Sequence, residues 1–316
     1  MKRLFALLLS CVLLATAMGQ GAMADLPDLE EAGKSYTTVV YYQGSPSGFL
    51  FVDDTTLLVT DVFEKAVWMA EDGGTPELYA SRILPTDISG EPIGGYHDAD
   101  ADKSAFRTPW AIAPFLNGYL VSDADNHALR YISSDKQVYT AAGGGAAGNV
   151  NGEALSARFN YPTGLAADEA GNVYISDTLN HVIRMIAPDL KVTTVAGGEE
   201  GYADGNAASS AFREPTGLCY TNGALYIADS GNHVIRKLKD GEVTTVAGSI
   251  VDETDDAFHS GAYRDGSAEE AYFSLPQGVS AAEDGSVYIS DTGNAAIRKV
   301  ADGQVTTLLK ADPLVG

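Results

Sequence analysis

The sequence predicts an all-β protein, a β-propeller of four-stranded antiparallel blades. Three observations predict this fold: a long internal repeat, short strand-like runs inside each repeat, and turn residues between those runs. A repeat period of roughly 50 residues is typical of propellers and other arrays. We expect five blades, and a sixth, incomplete blade is the alternative.

The repeat is clearest in the second half of the chain. One unit begins at Asn160 and reads NYPTGLAADEAGNVYISDTLNHVIRMIAPDLKVTTVAGG, and the next begins at Arg213 and reads REPTGLCYTNGALYIADSGNHVIRKLKDGEVTTVAGS. A third unit begins at Ser274, and two more divergent units begin at Arg107 and Ser45. Each unit carries one marker aspartate: Asp61, Asp123, Asp177, Asp229 and Asp291.

Each unit contains four short runs rich in Val, Ile, Tyr and Thr, which favour β-strands. Asn222-Gly223 lies between the first two runs of its unit, and such a pair suits a two-residue hairpin turn. Asp240-Gly241 and Asp302-Gly303 stand between the third and fourth runs of their units. Four-stranded antiparallel sheets repeated in this way are propeller blades.

The links between units have their own pattern, in which an Asp or Asn stands eight residues before a Phe and is followed by Gly in three of the four links. We expect an N-capped helical turn here, with the Phe ring inserted between blades. The four pairs are Asp98 with Phe106, Asn151 with Phe159, Asp204 with Phe212, and Asp265 with Phe273.

The segments GNVYISDTLNHVIR and VTTVAGG resemble the NHL-repeat family of propellers, and the resemblance extends from Ser45 to Leu309. It implies the propeller fold. It does not imply one function, because the family includes scaffolds, protein-binding and nucleic-acid-binding modules, and a few lyases. The first unit departs from the pattern at Glu64, Lys65 and Trp68, and the last has Ala295 where other units have His. End units of an array are often atypical.

The first residues have the anatomy of a secretory signal, with Lys2 and Arg3 before an apolar run from Leu4 to Met18. We therefore expect a signal peptide at 1–24 and a secreted or extracytoplasmic protein, with the cell envelope or periplasm included. Residues 25–44 form an N-terminal segment with one closing or extra strand at Tyr36–Tyr42. The propeller spans 45–310, and 311–316 is a C-terminal tail.

The chain carries a formal net charge of −23. Such a surface repels phosphate backbones and anionic lipids, so we expect no nucleic-acid partner and no membrane insertion. We also expect a monomer.

Asp, Asn and Arg recur at one corner of the later units. We interpret them as structural, because each blade carries one set and the sets are therefore far apart around the ring. These signature residues are Asp123, Asn126, Arg130, Asp177, Asn180, Arg184, Asp229, Asn232, Arg236, Asp291, Asn294 and Arg298. The same interpretation applies to His127, His181 and His233.

Two histidines outside the repeat stand among carboxylates in the long links, a pattern that leaves room for a calcium or zinc site. The candidate ligands are His97, Asp98, Asp100, Asp102, Asp255 and His259. The spacing excludes an EF-hand, because Lys103 replaces its turn glycine. The preferred interpretation is that these groups are solvated loop charges and that no cofactor is bound, and a calcium or zinc site is the alternative.

The other candidate site is the mouth of the central channel, where each innermost strand begins. The aligned residues vary while their neighbours repeat, and they are Ser47, Trp110, Thr163, Thr216 and Gln277. Trp110 is the best single anchor, because an aromatic ring beside polar groups can stack on a ligand.

The sequence therefore predicts a non-catalytic binding or scaffold module for a protein, peptide or glycan. The inner strands lack the His or Glu ligands that a metal-dependent propeller enzyme places there, and we identify no catalytic residues. A metal-dependent lyase or hydrolase acting in the channel is the alternative.

Overall fold

The computed structural model describes residues 45–311, except 72–73, 83–84, 89, 91 and 251–260. These residues form five antiparallel blades arranged as a β-propeller, which confirms the predicted fold class. Their helices are three-residue 3₁₀ turns, and none is long and apolar enough to cross a membrane. The predicted signal peptide, the strand predicted at Tyr36–Tyr42 and residues 312–316 lie outside the described residues.

Each blade has four main strands, which run in chain order from the channel outward. In blades 2 to 5 the two-residue strand named first lies on the outer edge, beside the fourth main strand. Blade 1 comprises β1 Pro46–Phe51, β2 Thr56–Asp61, β3 Ala66–Glu71 and β4 Glu77–Ala80. Blade 2 comprises β5 Ala99–Asp100, β6 Pro109–Phe115, β7 Gly118–Asp123, β8 Ala128–Ile132 and β9 Gln137–Gly143. Blade 3 comprises β10 Gly152–Glu153, β11 Pro162–Ala167, β12 Val173–Asp177, β13 Val182–Ile186 and β14 Lys191–Ala196.

The remaining blades repeat this arrangement. Blade 4 comprises β16 Gly205–Asn206, β18 Pro215–Thr221, β19 Ala224–Asp229, β20 Val234–Lys239 and β21 Glu242–Ala247. The short parallel pair β15 Glu199–Glu200 and β17 Ala211–Phe212 lies in the link before it. Blade 5 comprises β22 Gly266–Ser267, β23 Pro276–Ala281, β24 Val287–Asp291, β25 Ala296–Ala301 and β26 Gln304–Lys310.

Blades 2 to 5 each gain a fifth, two-residue strand from the preceding link. Gly205–Asn206, for example, pairs with the outer strand Glu242–Ala247. This pairing covers part of an edge that would otherwise present free backbone groups. The link is thereby attached to the blade that follows it.

The predicted hairpin turns are present. Thr221 pairs with Ala224, and the two residues between them, Asn222 and Gly223, have φ angles of 51° and 71°. Both angles are positive, as a type I′ turn requires, and Asn and Gly accept that region most readily. The Asp-Gly pairs of blades 4 and 5 adopt the same conformation.

The hydrophobic core lies between successive blades, and the predicted Phe residues are at its centre. Phe159 and Phe212 have no exposed surface and pack among aliphatic side chains of the blades on either side. The predicted N-caps were wrong. The residue that caps the turn Ala207–Ser209 is Asn206. Asp204 instead accepts a hydrogen bond from Arg236, because the buried guanidinium requires a negatively charged partner.

The innermost strands of successive blades lie side by side from blade 1 to blade 5. Hydroxyl groups join the later blades: Thr178 donates to the carbonyl of Pro215 and Ser230 to that of Pro276. The equivalent Thr292 of blade 5 donates within its own blade, to the carbonyl of Ser290. The Thr292 hydroxyl therefore does not form the bond between blades that Thr178 and Ser230 form.

Candidate functional site

The corners between the second and third strands are held by the signature residues. In blade 4, one carboxylate oxygen of Asp229 accepts the backbone N–H of Arg213 at 2.8 Å. Its other oxygen accepts from the Asn232 amide and the Arg236 guanidinium, each also at 2.8 Å. Blades 2, 3 and 5 repeat this arrangement with Asp123, Asp177 and Asp291. These contacts join the Asp, Asn and Arg side chains to one another within each corner.

Burial dominates the ionisation of these aspartates. It raises the pKa of both Asp177 and Asp229 to about 6, while the hydrogen bonds from the backbone, Asn and Arg act in the opposite direction. Burial also raises the pKa of Asp123 and Asp291. These carboxyl groups belong to the structural network and do not face the channel.

The repeated histidines connect each blade to the start of the next. Nδ1 of His127 accepts the backbone N–H of Tyr161 at 3.1 Å, and Nδ1 of His181 accepts that of Glu214 at 3.1 Å. Likewise His233 accepts the N–H of Leu275 at 2.9 Å. Blade 5 has Ala295 at this position, so it cannot form the corresponding bond.

The residues held by the histidines have an unusual backbone conformation. Tyr161, Glu214 and Leu275 have φ angles of 60°, 47° and 45°, in the left-handed region that non-glycine residues rarely adopt. Each stands directly before the proline that begins an innermost strand. Strained residues of this kind often mark sites where side-chain direction matters.

A cavity of about 310 Å³ lies at this end of the channel. Its volume is at the lower end of the range for small-ligand sites. It is lined by Trp110, Tyr161, Thr163, Thr178, Leu179, Glu214, Thr216, Ser230, Leu275 and Gln277. All three strained residues are in this lining, so the histidines help to shape the cavity.

The structure brings together four of the five predicted mouth residues: Trp110, Thr163, Thr216 and Gln277. The fifth, Ser47, does not line the cavity. Its hydroxyl donates to the carbonyl of Pro109 at 3.0 Å and so joins blade 1 to blade 2.

Sequence reasoning missed Tyr161, Glu214 and Leu275, which also line the cavity. The signal that could have found them is the one that indicated the mouth residues. These three positions also differ between repeats, and each stands directly before the proline that the repeats share.

The cavity wall combines aromatic and polar groups. The rings of Trp110 and Tyr161 meet edge to face, with centroids 6.1 Å apart. Burial raises the pKa of Tyr161, and the nearby Asp125 charge raises it further. Within the described residues, no hydrogen bond or ion pair engages the side chains of Trp110, Glu214 or Gln277. These side chains are therefore available to a ligand.

The predicted metal ligands are placed differently. Asp98 accepts from Arg130 at 2.6 Å, and Asp100 accepts from Gln137 at 2.7 Å and from Lys103. Asp255 and His259 lie outside the described residues. Among the residues the structure does describe, no group of three or more His, Cys, Asp or Glu side chains is arranged to hold a metal ion. The metal site remains a prediction.

Sequence comparison identifies NHL repeats in this chain. The profile of the NHL repeat family matches residues 159–184 and 212–238. NHL repeat-containing protein 2 of Bos taurus is 34% identical over 169 residues, which is 48% of this chain and 23% of that protein. The chain spans less than a quarter of the length of the curated relatives it matches first.

Solved structures share the fold at low sequence identity. A Bacteroides thetaiotaomicron protein superposes with a TM-score of 0.54 at 19% identity, covering 83% of this chain and 69% of that one. An auxiliary nutrient binding protein of Bacteroides ovatus gives 0.53 at 15% identity, covering 81% and 68%. A gluconolactonase of Xanthomonas campestris gives 0.53 at 16% identity, covering 84% and 75%. A binding protein and an enzyme are equally similar to this chain, so the shared fold does not indicate which of the two functions it has.

Proposed function

We propose that this chain, a β-propeller that carries NHL repeats, acts as a non-catalytic binding module. Its ligand is a protein, peptide or glycan that places one group in the cavity at the channel mouth. The signal-like first 24 residues support an extracytoplasmic location for this role.

One observation carries this proposal: the cavity presents free aromatic and polar side chains on a rigid support. The rings of Trp110 and Tyr161 offer apolar contact surface, and Glu214 and Gln277 offer polar groups at its rim. The walls are residues at the starts of successive innermost strands and in the 3₁₀ turns that follow the second strands, and the core between blades holds these elements in place. A site on strand ends is better ordered before binding than one on long loops, and this reduces the entropy cost of association.

A ligand screen tests the proposal. The protein would be screened by thermal shift against peptides, glycans and small molecules, and each hit would then be measured with the Trp110→Ala variant. We expect Trp110→Ala to weaken binding by about tenfold or more, because an aromatic anchor is a typical hot spot.

Tyr139→Ala is the matched control, since Tyr139 is an exposed aromatic residue on an outer strand and should leave binding unchanged. Equal loss in both variants would contradict the proposed site. Turnover of a hit that requires calcium or zinc and stops with a chelator would favour the enzyme over the binding module.

A further inference from the structure

The hydroxyl groups in the cavity wall already donate their protons to hydrogen bonds within the protein. Thr178 donates to the Pro215 carbonyl at 2.9 Å, so in the pair formed by Thr163 and Thr178, 2.7 Å apart, Thr163 is the donor. Ser230 likewise donates to Pro276, and Thr216 donates to Ser230 or to the Gln277 carbonyl. Because a hydroxyl has one proton and two lone pairs, these four groups can offer a ligand only acceptor capacity.

Three backbone donors at the mouth are also occupied. The N–H groups of Tyr161, Glu214 and Leu275 point to the histidines of the preceding blades. Among the side chains of the lining, the remaining donors are the Trp110 indole, the Tyr161 hydroxyl and the Gln277 amide. The cavity is therefore richer in acceptors than in donors.

The charge at the mouth is negative. Glu214 lines the cavity, and Asp125 is close enough to Tyr161 to affect its ionisation. The cation next to Glu214 in the sequence, Arg213, is not part of the cavity lining and forms an ion pair with Glu200 at 3.1 Å. The formal net charge of −23 adds a long-range field of the same sign.

The two aromatic rings favour the same kind of ligand. Trp110 and Tyr161 line the same cavity as Glu214, and the face of an indole or phenol ring attracts a cation. A neutral sugar would use the rings and the acceptors but would gain nothing from the charge. An anion would be repelled.

We infer that the channel-mouth cavity binds an organic cation, a primary ammonium group on a short apolar stem. The ammonium donates to Glu214 and to the threonine oxygens, and the stem lies against Trp110. A free alkylamine and a lysine side chain both have this chemistry. The inference rests on the proposed binding function and specifies its ligand class.

The test compares three probes of the same size: n-pentylamine, 1-pentanol and pentanoate. Binding is followed by the Trp110 indole signal in ¹⁵N-labelled protein, assigned with Trp110→Phe, at an ionic strength near 20 mM. We expect the amine to bind about tenfold more tightly than the alcohol, from a cation–π contact and one water-screened ion pair, and pentanoate more weakly than both. Nα-acetyl-lysine methylamide distinguishes a lysine side chain from the free amine.

Glu214→Gln keeps the shape of the side chain and removes its charge, and it should weaken amine binding by about fivefold without affecting the alcohol. The matched control is Glu169→Gln, an exposed carboxylate in the hairpin turn of blade 3, which should have no effect. If the alcohol binds as tightly as the amine, or if both variants weaken the amine equally, the inference is wrong.

The two proposals fail in different ways. If screening hits bind at Trp110 without any preference for a cation, the binding function stands and only the ligand class is wrong. If neither the amine nor any hit from the screen depends on Trp110, both proposals are wrong.

Discussion

At the scale of single residues, the fold depends on one buried arginine in each of the last four blades. The Arg236 guanidinium lies between the rings of Tyr202 and Phe212, with centroid distances of 4.7 and 5.2 Å. Its edges bond to Asp229 and Asp204. Arginine suits this position because its faces stack on rings while its edges donate in a fixed plane. These contacts compensate for the loss of hydration on burial.

Replacing Asp229 with Asn tests this network. The amide nitrogen would face donors from Asn232 and Arg236, and the buried guanidinium would lose half of its charge partners. We expect a loss of about 3 kcal/mol in the free energy of unfolding, measured by urea denaturation. Asp302→Asn, at an exposed hairpin turn that Asn accepts, should change stability by less than about 0.5 kcal/mol. Similar losses in the two variants would refute the structural role.

The sequence identified the Asp, Asn and Arg of this network because they recur at constant spacing. It did not identify the tyrosines that stack on three of the arginines. Tyr96, Tyr202 and Tyr263 each stand two residues before the acidic residue of a link, but the third blade has Asn149 there, so the pattern is broken. The tyrosine of a link and the arginine of the following blade are far apart in the chain, so their contact depends on the tertiary fold.

At the scale of elements, the innermost strands approach one another closely because four of the five have a glycine as their third residue, and blade 2 has the small Ala111 there. A Cβ atom on Gly164 would lie 2.0 Å from the carbonyl oxygen of Thr216 on the next blade. A Cβ on Gly217 would lie 2.4 Å from that of Gln277. Neither glycine has a positive φ, so it is the space between strands that requires the missing side chain.

Gly164→Ala should therefore destabilise the protein, because the clash is with backbone and the blades must move apart. We expect a loss of about 2 kcal/mol or more in thermal or urea unfolding. Gly198→Ala is the control, since a Cβ there meets nothing within 4 Å and its φ is not in the left-handed region. An alanine tolerated equally at both positions would show that the blades are not closely packed at Gly164.

Strand identity and hairpin turns could be predicted because they depend on local chemistry, as at Asn222-Gly223. The helical turns of the links were placed correctly only in part. The residue at the cap position is two positions later than predicted, and the acidic residue serves the arginine of the following blade. The competing partner comes from another part of the chain, so propensity alone could not reveal it.

At the scale of the whole molecule, the excess of acidic residues sets the response to salt. With a formal net charge of −23, the folded state suffers self-repulsion that dissolved ions screen. We expect the melting temperature to rise by a few degrees between about 20 and 200 mM NaCl, equivalent to roughly 1 kcal/mol. Potassium chloride should have the same effect, since screening does not depend on the ion. A melting temperature that stays constant or falls would contradict this account.

The sequence by itself determined the architecture and the sign of the surface charge. A repeat specifies its own fold, because each unit carries the strands, turns and glycines that let it pack on a copy of itself. The contents of the channel mouth depend on contacts between blades. These contacts bring Glu214 and Tyr161 into the same cavity as Trp110 and leave Ser47 outside it. The physical reason is that histidines of one blade hold residues of the next in a left-handed conformation, a constraint between blades that no single repeat records.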